Sequence, residues 1–150
     1  MGDLEHGTDH PWMRLARKMH GVREVRGGED ETIMSFHAVV DPGRSYLDED
    51  EDPWCASFAS WALHVAGMDS PRTARARGFL EYGEDLAEPR YGCIAVLWRG
   101  SPDAATGHVG FVLDAIGDQV VLLGGNQNNR VQMSVYPRSQ VLSWRWPVRG

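Results

Sequence analysis

The sequence predicts an α+β domain, helices first and an antiparallel sheet afterwards, on three observations. In the first half, apolar residues recur at three- and four-residue steps, the spacing of one helix face. Beyond Pro89 the pattern changes to short apolar runs divided by Gly, Pro, Asn and Asp, which read as strands and turns. Helical segments followed by strands, rather than alternating with them, imply antiparallel pairing. At 150 residues the chain fits one domain with a real core and is too short for two.

The elements follow in order. Residues 1–10 read as a flexible lead-in, and residues 11–150 as a single domain. Trp12, Leu15, Ala16 and Met19 share a helix face that starts at Pro11. Gly27-Gly28 breaks the chain before a second helix over 31–40, which Asp41-Pro42-Gly43 ends. A third helix runs from Pro53 to about Val65, stopped by Gly67, with Cys55, Phe58, Ala59, Ala62 and Ala66 on one stripe. A short helix is expected over 74–82. Strands are expected over 93–98, 108–115, 119–123, 131–135 and 141–146.

Composition narrows the function. Hydrophobic residues make up 42% and charged residues 24%, as in ordinary globular domains. A net charge of −6 argues against nucleic acid or an anionic membrane as partner. No apolar run reaches the roughly 18 residues of a membrane span. The start, Met1-Gly2-Asp3-Leu4-Glu5-His6, lacks the basic-then-apolar pattern of a signal peptide. Synthesis in the cytoplasm, with delivery by something else if the substrate lies outside, is the expectation, as is a monomer. The acidic run Asp48-Glu49-Asp50-Glu51-Asp52 reads as a solvated loop. Two cysteines make no disulfide framework, and a Cys55–Cys93 bridge would silence the nucleophile proposed next.

In Asp52-Pro53-Trp54-Cys55-Ala56-Ser57-Phe58, Asp52 can cap a helix and Pro53 suits its first position, leaving Cys55 at about the third. Unpaired N–H groups and the helix dipole there favour a thiolate. The alternative is a small buried hydrophobe. Thiol hydrolysis of an amide also needs a base, a group to orient it, and donors for the oxyanion. His108, opening a strand after Thr106-Gly107, is the candidate base. A three-residue loop at Ile116-Gly117-Asp118 pairs Ala115 with Gln119, and the same register sets His108 opposite Asn126, on a shared face. A one-residue slip would separate them. Within Gly124-Gly125-Asn126-Gln127-Asn128-Asn129 the asparagine also fits simple turn chemistry, while the paired glycines suit a close backbone approach. His6 and His10 fall in the lead-in, and His20, His37 and His64 are spaced like helix-surface or helix-end residues. No HxxxH pair occurs, so no metal site and no cofactor is expected.

Three segments, 52–58, Gly107-His108-Val109-Gly110-Phe111 and Leu123-Gly124-Gly125-Asn126-Gln127, resemble the signatures of the NlpC/P60 and CHAP cell-wall hydrolases. The likeness is closer to a compact phage and bacterial subgroup, which Pro11-Trp12, Gly21-Val22-Arg23-Glu24 and Trp144-Arg145-Trp146-Pro147 also resemble. The resemblance implies a papain-like fold with helices packed on a small antiparallel sheet. It implies Cys55 as nucleophile, His108 as base and Asn126 as third member. Many CHAP domains carry a glutamate where this chain has Gly124, and relatives usually have Gly-Asp where it has Gly92-Cys93, so Cys93 reads as structural. Trp54, Tyr82, Trp98 and Gln127 are the expected substrate-facing residues. The implied substrate is the peptide stem of peptidoglycan, with the scissile amide left open, and delivery would fall to a holin, a secretion system or a phage particle, with an immunity protein as a further partner. Two rivals use the same residues: a papain-like acyltransferase or deamidase acting on protein, and a cell-wall-binding module with a dead site.

Overall fold

The computed structural model describes residue 4 and residues 9–25, 29–47 and 53–150. Helices α1 (Pro11–Lys18), α2 (Glu31–Val40) and α3 (Cys55–Val65) come first. Strands β1 (Glu84–Leu86), β2 (Ile94–Trp98), β3 (Gly107–Ile116), β4 (Gln119–Gln127), β5 (Arg130–Pro137) and β6 (Val141–Trp146) follow. They form one antiparallel sheet in the order β1-β6-β2-β3-β4-β5.

Local chemistry fixes the helix ends. α1 begins at a proline, whose missing N–H costs nothing there. The Asp30 carboxylate accepts the Ile33 N–H at 2.9 Å and caps α2. Beyond α2, Asp41 accepts the N–H groups of Tyr46 and Leu47, each at 2.8 Å, which hold its carboxyl well below the usual range. α3 stops at Gly67, whose φ of 80° lets the Met68 N–H reach the Leu63 carbonyl at 3.0 Å.

α3 is the buried centre. Phe58, Ala59, Ala62 and Leu63 have no exposed surface, and Phe58 meets Phe36 of α2 and Phe111 of β3 edge-on. On the other face of the sheet Cys93, Ala95, Leu97, Val112, Val120 and Leu122 form a second cluster, packed against by Tyr136, Val141 and Trp144. β2 is thus buried on both faces, which accounts for its unbroken apolar run. Cys55 and Cys93 are free thiols in different clusters.

Four expectations change. α3 starts at Cys55, two residues later than Pro53, with Trp54 in the cap position and no side-chain cap bond. The helix expected over 74–82 shrinks to a 3-10 turn at Ala76–Phe79, where the Arg77 guanidinium is bound to the carbonyls of Ser101, Pro102 and Thr106. β1 was not expected: its three residues carry no periodicity and are specified by pairing with β6. His37 is not a surface residue. It is 1% exposed, with Nδ1 2.9 Å from the Ser57 hydroxyl of α3. The Asp52 cap, the acidic run, the Gly27-Gly28 break and residues 1–3 and 5–8 of the lead-in lie outside the described residues. Asp9 and His10, at the end of that lead-in, are packed: the Tyr91 hydroxyl donates to Asp9 and His10 stacks on Trp12.

Candidate active site

Cys55 is the first residue of α3 and is 8% exposed. Backbone N–H groups of Val109, Ala56 and Cys55 itself favour its thiolate form. Val109 directly follows His108 on β3. Burial pushes the thiol up and outweighs those donors and the Arg99 charge. Desolvation thus opposes the expected helix-start thiolate and favours the neutral thiol.

His108 is 1% exposed, and its Nε2 lies 2.9 Å from the Gln127 Oε1. The other end of that carboxamide fixes its orientation. Gln127 Nε2 donates to the carbonyls of Leu122 at 3.2 Å and Gln132 at 2.6 Å. Oε1 must then be the atom that faces the imidazole, and it can only accept. Neutral His108 is consequently protonated on Nε2, leaving a lone pair on Nδ1, which has no hydrogen-bond partner among the described residues. The Tyr136 ring, 5.4 Å away between centroids, leans on the imidazole.

Gln127, not Asn126, is therefore the residue bonded to His108, and the reason lies in the register. The hairpin turn has two residues rather than three, pairing Ile116 with Gln119. An irregularity between Val112 and Asp114 restores the expected register by Phe111 and Leu123. Between Gly124 and Gln127 the pairing with β5 shifts again, and Asn126 takes a left-handed φ of 54°. That kink leaves Asn126 half-buried and Gln127 3% exposed. Gly124 makes the substitution possible: a Cβ there would lie 2.4 Å from Gln127 Oε1 and 3.4 Å from His108 Nε2. The Gln127 carboxamide fills the space that a side chain at 124 would take.

Burial is the main influence on His108, holding it down at about 4; the Gln127 bond opposes this and the Arg99 charge reinforces it. In the unfolded chain an unperturbed histidine titrates near 6.5. Below that pH the unfolded chain takes up a proton that the folded one refuses, so stability falls as pH drops from 6.5 to about 4. The loss expected from this group is about 3 kcal/mol. Urea unfolding at pH 7, 5.5 and 4 should show a shallower decline in a His108→Gln chain; parallel declines would refute the buried neutral imidazole.

Three expected substrate-facing residues are otherwise engaged. Trp54 is fully buried and donates its indole N–H to Glu24 Oε1 at 2.8 Å. Tyr82 is 5% exposed, with its hydroxyl on the Asp69 carbonyl. Gln127 is the group behind the base. Trp98 is half-buried at the end of β2. Sequence reasoning missed Tyr136, Arg99 and the orienting role of Gln127. Period-two alternation along β5 puts Tyr136 on one face, but not beside His108, and no local signal marks the other two.

A cysteine opening a buried helix, a histidine opening an antiparallel strand and a carboxamide behind it define an α+β protein of the NlpC/P60 and CHAP type. The chain belongs to the CHAP domain family, whose profile matches residues 47–126, just over half of the chain. The match takes in Cys55, His108 and Asn126 and ends one residue before Gln127. CHAP domains are generally hydrolytic cell-wall domains. Among solved structures, a protein from Staphylococcus aureus subsp. aureus Mu50 described as similar to lipoprotein, NLP/P60 family, is 17% identical with a TM-score of 0.52. That likeness covers 90% of this chain but 40% of the other, and it supports the fold alone. The structure of Ly7917 is 15% identical over 93% of this chain and 61% of the other, with a TM-score of 0.40. A search of curated proteins finds no match.

Proposed function

We propose that this chain hydrolyses an amide bond in the peptide stems of peptidoglycan, with Cys55 as nucleophile, His108 as base and Gln127 as the group that positions His108. The observation that carries this reading is the unpartnered, buried Nδ1 of His108, whose tautomer Gln127 fixes. The Cys55 thiol gives its proton to Nδ1 as the sulfur bonds to the amide carbon. The Cys55 backbone N–H donates to the oxyanion. The imidazolium, still bound to Gln127 through Nε2–H, returns the Nδ1 proton to the leaving nitrogen as the C–N bond breaks. A free amine departs and a thioester remains. Water then attacks the thioester, loses a proton to Nδ1 and releases a carboxylic acid, and the sulfur regains its proton.

Family membership supports cell wall as the substrate, and the site supports the reaction type. Purified sacculi digested with the chain should release fragments carrying one new amine and one new carboxyl group per cut, identified by mass. Intact fragments at every enzyme concentration would reject the proposal. Transfer of an acyl group to an added amine without wall cleavage would instead favour the acyltransferase reading.

A further inference from the structure

A polar cleft of about 450 Å³ is lined by Arg23, Glu24, Val25, Asn128, Asn129 and Arg130. Its walls are two chain segments paired like strands. Gly21 donates to the Val131 carbonyl, Val131 to that of Val22, and Glu24 to that of Asn129. This pairing sets Arg23 directly opposite Arg130. Like charges at such positions repel, and among the described residues neither guanidinium has an ion pair or a side-chain hydrogen bond. Glu24, the acidic group of the cleft, has Oε1 engaged by the Trp54 indole. Among the described residues, two cations line this cleft against one carboxylate, on a chain whose net charge is −6.

Two neighbours along the chain tie this cleft to the proposed site. Trp54, held by Glu24, precedes Cys55, and Asn128 follows Gln127. We infer that Arg23 and Arg130 form a subsite for a carboxylate of the peptide substrate, close to the scissile amide. Guanidinium forks match a carboxylate through two parallel N–H···O bonds, and a bound anion would relieve the repulsion between the paired arginines. Asn128 and Asn129, both in the left-handed region at φ of 56° and 61°, form the tight turn that pairs Arg130 with Gln127, while Arg23 flanks Arg130 through the bridge.

This subsite rests on the peptide-hydrolase reading but is tested without turnover. The Cys55→Ala chain is titrated calorimetrically with the tetrapeptide L-Ala-γ-D-Glu-L-Lys-D-Ala, and with the same peptide carrying carboxamides in place of its carboxylates. The carboxylate form is expected to bind about tenfold more tightly. Adding R23Q and R130Q should erase that preference, whereas R23K with R130K should keep part of it. Thermal unfolding of each chain verifies that the exposed substitutions leave the fold intact. Equal binding of the two peptides, no binding of either, or a full preference in the glutamine variant would overturn the subsite. Wall digestion by the unsubstituted chain is scored separately, so failure of the subsite and failure of the hydrolase reading are told apart.

Discussion

Turnover on sacculi is expected to fall by at least about a thousandfold in Cys55→Ala and His108→Ala chains, by about a hundredfold in Gln127→Ala, and by less than about threefold in Asn126→Ala. The first two losses remove the proposed nucleophile and the proposed base. The third removes neither, but frees the imidazole to take either tautomer and to turn away from the sulfur. It also leaves Nε2 of a buried ring without an acceptor, an additional cost to folding. Gln127→Glu separates positioning from packing. It keeps an oxygen facing Nε2 but confronts the Leu122 and Gln132 carbonyls with an oxygen that cannot donate, and its charge favours the imidazolium. The acid limb of the rate profile should therefore move to higher pH in Gln127→Glu, which a purely structural role for Gln127 would not produce. A large loss in Asn126→Ala with none in Gln127→Ala would reverse the assignment.

The contrast between Gln127 and Asn126 marks how far the sequence can be read. The placement of Cys55 in a first helical turn and of His108 at a strand opening was legible because each is marked locally, one at the start of a helical stripe and the other behind Thr106-Gly107. The boundaries of α2 and β6 were legible too, the one ended by Asp41-Pro42-Gly43 and the other carried by its apolar run. Asn126 was chosen by continuing one register through the hairpin. The kink that exchanges it for Gln127 depends on what β4 meets, namely His108 on one side and the start of α3 on the other. Trp54 and Tyr82 look like groove residues by composition, yet single acceptors, Glu24 Oε1 and the Asp69 carbonyl, complete their burial. Those partners lie 30 and 13 residues away. The thiolate expectation is opposed for a similar reason: helix-start donors are local and visible in sequence, whereas desolvation depends on everything packed around the sulfur.

Gly125→Ala is expected to lower stability by about 2–3 kcal/mol, the usual cost of overpacking a rigid site, and the melting temperature by about 5–10 °C for a domain of this size. A Cβ at 125 would lie 2.7 Å from the Phe58 Cβ and 2.8 Å from the Trp54 Cε3. Neither neighbour can yield cheaply: both side chains are fully buried, Phe58 against Phe36 and Phe111, and Trp54 tied to Glu24. The strain must instead push β4 away from the first turn of α3. Cys55 lies on α3, whereas the residues that orient His108 lie on β4, so the same displacement should lower activity even at temperatures where the variant remains folded. Gly43→Ala provides the matched control. Nothing lies within 4 Å of the Cβ it would add, and its φ is not in the left-handed region, so its melting temperature should stay level or rise slightly. A Gly125→Ala chain as stable and as active as the Gly43→Ala chain would mean that the close approach of β4 to α3 is not what holds the nucleophile and its base together.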